Sequence, residues 1–128
     1  MRVKVGSVSH FGLAVRDTAV SADWWTSNFD LDELFQFEDG VCVANDFLML
    51  MLFRGDPSPE TFRHMAFNMP SLASLRAARD ALRENGVSLE DPGDEIGPVG
   101  EGSASMGLWF RDPDGYRWEF YVEDTAED

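Results

Sequence analysis

Phe110-Arg111-Asp112-Pro113-Asp114-Gly115-Tyr116-Arg117-Trp118-Glu119 is the stretch on which the reading of this chain turns. Asp112 to Gly115 is a turn signal: proline presets φ, glycine tolerates positive φ, and aspartate bonds nearby backbone. The flanking residues are strand formers, so residues 106–110 and 116–122 read as two strands of a hairpin. Side chains alternate along a strand, which puts Arg117, Glu119 and Tyr121 on one face and Tyr116, Trp118, Phe120 and Val122 on the other. A carboxylate in so aromatic a strand either lies on an exposed edge or is kept in a cavity as a ligand.

Outward from the hairpin the pattern is regular. Residues 91–102 form a Gly/Pro/acid loop, and residues 87–89 read as a short strand. Residues 72–84 carry the stripe Leu72, Leu75, Ala78 and Leu82 behind a Ser71 cap, which predicts a helix ended by Asn85-Gly86. Residues 64–69 read as a strand beginning at His64, and residues 55–60, with two prolines, as a linker. Before the linker the same order occurs once already. A strand spans residues 7–15, with His10, Gly12 and Ala14 on the face opposite Phe11, Leu13 and Val15. Asp17 caps a helix over 19–27, and strands at 34–38, 41–44 and 47–53 follow, divided by Asp39-Gly40 and Asn45-Asp46. The reading is an α+β chain, one domain over 1–128, made of two βαβββ pseudo-repeats at about 7–54 and 61–123. The two histidines, 54 positions apart, occupy matching places in the repeats.

Composition narrows the function classes. The 128 residues hold 24 acids against 10 bases, a net charge of −14, with Lys4 the only lysine. Such a polyanion repels nucleic acid and anionic membrane surfaces. The longest apolar run, residues 47–53, is far short of the about 20 residues of a membrane span, so it reads as a buried strand. Cys42 is the single cysteine, which excludes an intrachain disulfide and a zinc–thiolate cluster and suits a reducing, cytoplasmic setting. The tail from Glu123 is acidic and reads as frayed.

A lone histidine on a strand is more often a hydrogen-bonded, half-buried side chain than a ligand. Two at equivalent positions, each followed two places on by a small residue, point instead to a shared task. With Glu119 they offer two imidazoles and a carboxylate, a donor set suited to Fe(II), Mn(II), Zn(II) or similar ions. Trp109 shares a face with Gly107 and Ser105, and is either a cavity wall or a core residue. Leu48, Leu50 and Leu52 are expected beside it as apolar wall, with Asn68 and Arg117 as further substrate contacts and Tyr121 as a candidate acid/base.

These segments resemble the vicinal oxygen chelate superfamily, which includes glyoxalase I, fosfomycin-resistance thiol transferases, extradiol dioxygenases and bleomycin-resistance proteins. Ser9-His10-Phe11-Gly12-Leu13-Ala14-Val15-Arg16-Asp17, Arg63-His64-Met65-Ala66-Phe67 and the opening stretch carry the resemblance, which extends from Val8 to Val122. It implies a curved mixed sheet around a cavity with helices outside. It also implies His10, His64 and Glu119 as ligands of one divalent ion (Fe, Mn, Zn or Ni), and a homodimer whose sites are shared between chains. Two departures bear on the reaction. Aligning the halves sets Leu50 opposite Glu119, where glyoxalase I and the epimerases have an acid. Residues 98–103 hold no base, where fosfomycin-resistance enzymes hold a phosphonate. The triad matches extradiol dioxygenases best, without their additional histidine. A metal-dependent enzyme acting on a small organic substrate through vicinal oxygens is therefore expected, with dioxygenase-like chemistry ahead. The alternatives are a lyase or thiol transferase of the same superfamily, and a non-catalytic protein that binds a drug or aromatic ligand.

Overall fold

Residues 1–90, 96–100 and 102–123 are described by the computed structural model. The chain divides between Pro57 and Ser58 into two units, inside the proline-containing stretch 55–60.

The first unit runs β1 (Phe11–Val15), α1 (Thr18–Asn28), β2 (Asp32–Phe37), β3 (Gly40–Ala44) and β4 (Met49–Arg54). Asp17 starts α1 by accepting hydrogen bonds from the backbone N–H groups of Ala19 and Val20, which have no partner inside the helix. The Asn45 side chain does the same for Phe47 and Leu48 and turns β3 into β4. The sheet order is β1-β4-β3-β2, with β1 parallel to β4 and the other pairs antiparallel. Register puts Leu13 beside Leu52, Val41 beside Leu52 and Val43 beside Leu50. These residues, with Val15, form the buried face under α1 and its Trp25. Each such aliphatic side chain contributes roughly 1.5–3 kcal/mol on burial. The opposite face carries Gly12, Ala14, Met51, Phe53, Cys42 and Phe37; burial raises the Cys42 thiol pKa, which suits a packing role for it.

The second unit runs α2 (Pro59–Phe62), β5 (Met65–Asn68), α3 (Leu72–Glu84), β6 (Ile96–Pro98), β7 (Met106–Arg111) and β8 (Arg117–Val122). Its sheet order, β5-β8-β7-β6, repeats the first: an outer strand parallel to the last strand, then antiparallel neighbours. Leu75 and Leu82 of α3, with Leu108, Phe110, Trp118 and Phe120, make the core. Phe67 stacks on Trp118 with rings 5.5 Å apart and nearly parallel. The α+β class and the twice-used βαβββ order are therefore present.

Several elements differ from expectation. Strands β1 and β5 start one residue after His10 and His64, so both histidines precede their strands. Residues 55–60 contain the start of a short helix, which Pro59 opens because the missing N–H is not needed there. Residues 87–89 do not form a strand; only a Leu89–Phe110 bridge is present. β6 lies in the stretch read as loop, where Gly97 and Pro98 hide a strand pattern. Residues 91–95, 101 and the acidic tail 124–128 lie outside the described residues. Among the described residues no helix is long and apolar enough to cross a membrane.

Candidate metal and substrate site

The opposite face of the second sheet, away from α3, carries most of the candidate site residues of this unit. Cross-strand register sets Ala66 and Trp109 on either side of Glu119, and Asn68 and Gly107 on either side of Tyr121. His64 sits one residue ahead of β5, on the side that Ala66 and Asn68 share. Arg63 before it adopts a φ of 63°, an unusual conformation for a residue with a side chain, and its strain falls beside the candidate ligand. His64 meets Trp109 with ring centroids 5.0 Å apart at 78°.

Glu119 is the most informative side chain. It is 2% exposed, and its Oε2 has no hydrogen-bond partner among the described residues. Gly107 makes room for it: a Cβ there would run into the Glu119 carboxylate and lie 3.2 Å from Trp109 Nε1. Burial pushes the Glu119 pKa up to about 7, and the Arg117 charge opposes the rise. A buried, unpartnered carboxylate oxygen is costly on its own, so its retention fits a ligand for a cation or a donor.

Arg117 does not project freely at a substrate. Its guanidinium bonds Glu90 through Nε and Nη2 at 2.8–3.0 Å and lies 3.8 Å from the Trp109 ring centroid. Arg111 also approaches Glu90, at 3.3 Å. Tyr121 is committed as well. Ser105 Oγ donates its one proton to the Glu123 carbonyl at 2.7 Å, so the Tyr121 hydroxyl, 3.0 Å away, is the donor of the pair. Its proton is thereby engaged, and its lone pairs remain for a ligand.

In the first unit His10 is exposed and its Nδ1 lies 2.9 Å from Ser9 Oγ. In the tautomer whose Nδ1–H donates to Ser9, Nε2 keeps the lone pair that a metal needs. The apolar wall expected from Leu48, Leu50 and Leu52 is not formed as read. Leu50 and Leu52 are fully buried on the α1 face, while Leu48 lies in the Asn45 turn. The pairing of Leu50 with Glu119 is corrected too. Gly12, two residues after His10, pairs with Met51, as Ala66, two residues after His64, pairs with Glu119. Met51 is thus the counterpart of Glu119, and the acid is absent there also. Within either unit, among the described residues, no three His, Cys, Asp or Glu side chains form a ready ligand cluster. A cleft of about 450 Å³ between α1 and the β2–β3 hairpin, lined by Asp23, Glu33, Asp39 and Arg54 among others, contains none of the expected site residues.

Residues 7–120 match the family model of the Glyoxalase/Bleomycin resistance protein/Dioxygenase superfamily, and the chain belongs to that superfamily. No curated protein matches it. Solved structures share the fold at low identity. A genomically encoded fosfomycin resistance protein, FosX, from Listeria monocytogenes is 18% identical, with TM-score 0.77 and coverage of 97% of this chain and 98% of that one. Lactoylglutathione lyase from Agrobacterium tumefaciens is 15% identical, with TM-score 0.73 and coverage of 92% and 94%. The oxidase ChaP-H2 is 23% identical, with TM-score 0.70 and coverage of 96% and 98%. The named activities differ although the fold is common, so the activity of this chain has to be argued from its own residues.

Proposed function

We propose that the chain is a divalent-metal-dependent enzyme acting on a small organic substrate through vicinal oxygens, with dioxygenase-like chemistry ahead of isomerisation or thiol transfer. The orphaned, buried Oε2 of Glu119 is the observation that carries this reading. The donor types fit such an ion: imidazole nitrogen from His10 in the first unit, and imidazole nitrogen and carboxylate from His64 and Glu119 in the second. A bound ion supplies Lewis acidity, or reactivity toward O2 if it is iron.

The chain's own residues define the rest. Met51 at the counterpart of Glu119 leaves no second carboxylate to share a proton transfer, which disfavours an isomerase. Trp109 offers indole surface to a ring, and Asn68 is an exposed amide on the same face. Arg117, neutralised by Glu90, is a poor anchor for a phosphonate or other dianion. The substrate is accordingly neutral or weakly anionic, with an aromatic or apolar body.

The test offers a catechol-like ligand to protein loaded in turn with Fe(II), Mn(II), Zn(II) and Ni(II). Saturable fluorescence quenching that Trp109→Ala abolishes, with turnover under one of the metals, is expected. Saturable, metal-dependent turnover of fosfomycin or a glutathione hemithioacetal would contradict the substrate assignment.

A further inference from the structure

His64 is exposed and precedes its strand, so burial does not hold its side chain in one rotamer. A metal ligand left to sample several rotamers loses affinity, because ordering it costs conformational entropy on binding. The ring it meets is Trp109, itself only half-buried. Trp109 is in turn gripped within a closed circuit. The Glu90 backbone N–H donates to the Trp109 carbonyl at 3.0 Å. The Glu90 carboxylate takes a forked pair of bonds from Arg117, and the Arg117 guanidinium stacks 3.8 Å from the centroid of the Trp109 ring. Main chain, ion pair and cation–π contact therefore form one circuit through Trp109, Glu90 and Arg117, all within the second unit.

We propose that Glu90 and Arg117 are positioning residues for His64: they lock the Trp109 indole, and the locked indole fixes the imidazole in its ligating orientation. The proposal rests on the reading of His64 as a metal ligand. An Arg–carboxylate pair of this exposure contributes little to stability by itself, with side chains 32% and 26% exposed. Its geometry matters because the ion pair holds the guanidinium over the ring. Coulomb's law separates this role from a simple charge effect. Removing the Arg117 charge should tighten a cation in the site, and removing the Glu90 charge should weaken it. Positioning requires both losses to weaken binding.

The experiment uses the full chain carrying Glu90→Ala, Arg117→Met, Trp109→Leu or His64→Ala. In metal-free protein, proton–carbon correlation spectra report the ring signals of the two histidines, and His64→Ala assigns them. Binding of Zn(II) alone is then titrated, and thermal unfolding shows that each variant is folded. In Glu90→Ala and Arg117→Met the His64 signals are expected to move toward their Trp109→Leu positions while those of His10 stay. Zn(II) affinity should fall about ten-fold or more in both, and the double variant should lose no more than either single one. Unmoved His64 signals and wild-type affinity in the folded variants, with binding lost in His64→Ala, overturn the positioning role and leave the metal site standing. Wild-type Zn(II) binding by His64→Ala overturns the metal-site reading, and this proposal with it.

Discussion

Asp112 shows how a turn residue of the opening motif does structural work beside the site. Its Oδ1 accepts from the backbone N–H groups of Asp114 and Tyr116 at 3.0 Å, and its Oδ2 accepts from Trp118 Nε1 at 3.0 Å. Burial raises its pKa to about 6, and the three donors limit the rise. An amide in its place would turn an N–H toward the Trp118 N–H, so Asp112→Asn should cost roughly 1–3 kcal/mol. A lower denaturant midpoint at unchanged slope would show it, and an unchanged midpoint would mean the network contributes nothing. Glu119 has the opposite character, because its buried Oε2 lacks a hydrogen-bond partner among the described residues. Its folded pKa of about 7 lies above its ordinary 4.5, so folding favours the protonated form. The ionised group weakens the metal-free fold progressively as pH rises from about 4.5 through 7, and costs nothing below that window. Metal-free Glu119→Gln should therefore gain on wild type by the order of 1–2 kcal/mol at pH 8 and by little at pH 4. Equal stability of the two proteins at pH 8 would contradict a desolvated carboxylate. Both roles were legible in part: the motif named Asp112 and Glu119, whereas Glu90, 27 positions from Arg117, gave no sequence signal because only the tertiary fold brings the two together.

At the scale of elements, capping and alternation made most of the fold readable. Ser71 and α3 stand where residue chemistry put them, and β7 and β8 flank the Asp-Pro-Asp-Gly turn as expected. Register was not readable. Side chains alternate with a period of two, so an alignment of the halves that slips by one residue moves Leu50 from the core to the site and hides Met51. β6 was missed because glycine and proline carry no alternation, and its short antiparallel pairing with β7 depends on its neighbour. Two substitutions test the elements separately. Asp17→Ala removes the α1 cap and should cost about 1 kcal/mol without altering metal affinity, as followed by urea unfolding and Zn(II) titration. Gly107→Ala intrudes from β7 on the Glu119 carboxylate of β8 and should lower metal affinity while the far-ultraviolet spectrum stays native. Wild-type affinity in Gly107→Ala would show that the carboxylate does not need that space.

For the whole molecule, exposed aromatic side chains on the first sheet and a net charge of −14 set the expectations. In the first unit Phe53 and Phe35 are 42% and 44% exposed on the face away from α1, more aromatic surface than a solvent-facing sheet usually carries. That surface and the superfamily resemblance lead us to expect a homodimer, visible by light scattering at about 0.15 M salt, where the Debye length is about 8 Å and like charges are screened. A monomer under those conditions would contradict it. The proposed function depends on a divalent ion ligated by His10, His64 and Glu119. Metal content of gently purified protein, measured beside His10→Ala, His64→Ala and Glu119→Ala, tests this most directly. The account predicts about one divalent ion per chain in the wild type and loss of that ion in each variant. Wild-type metal content in all three variants would contradict it.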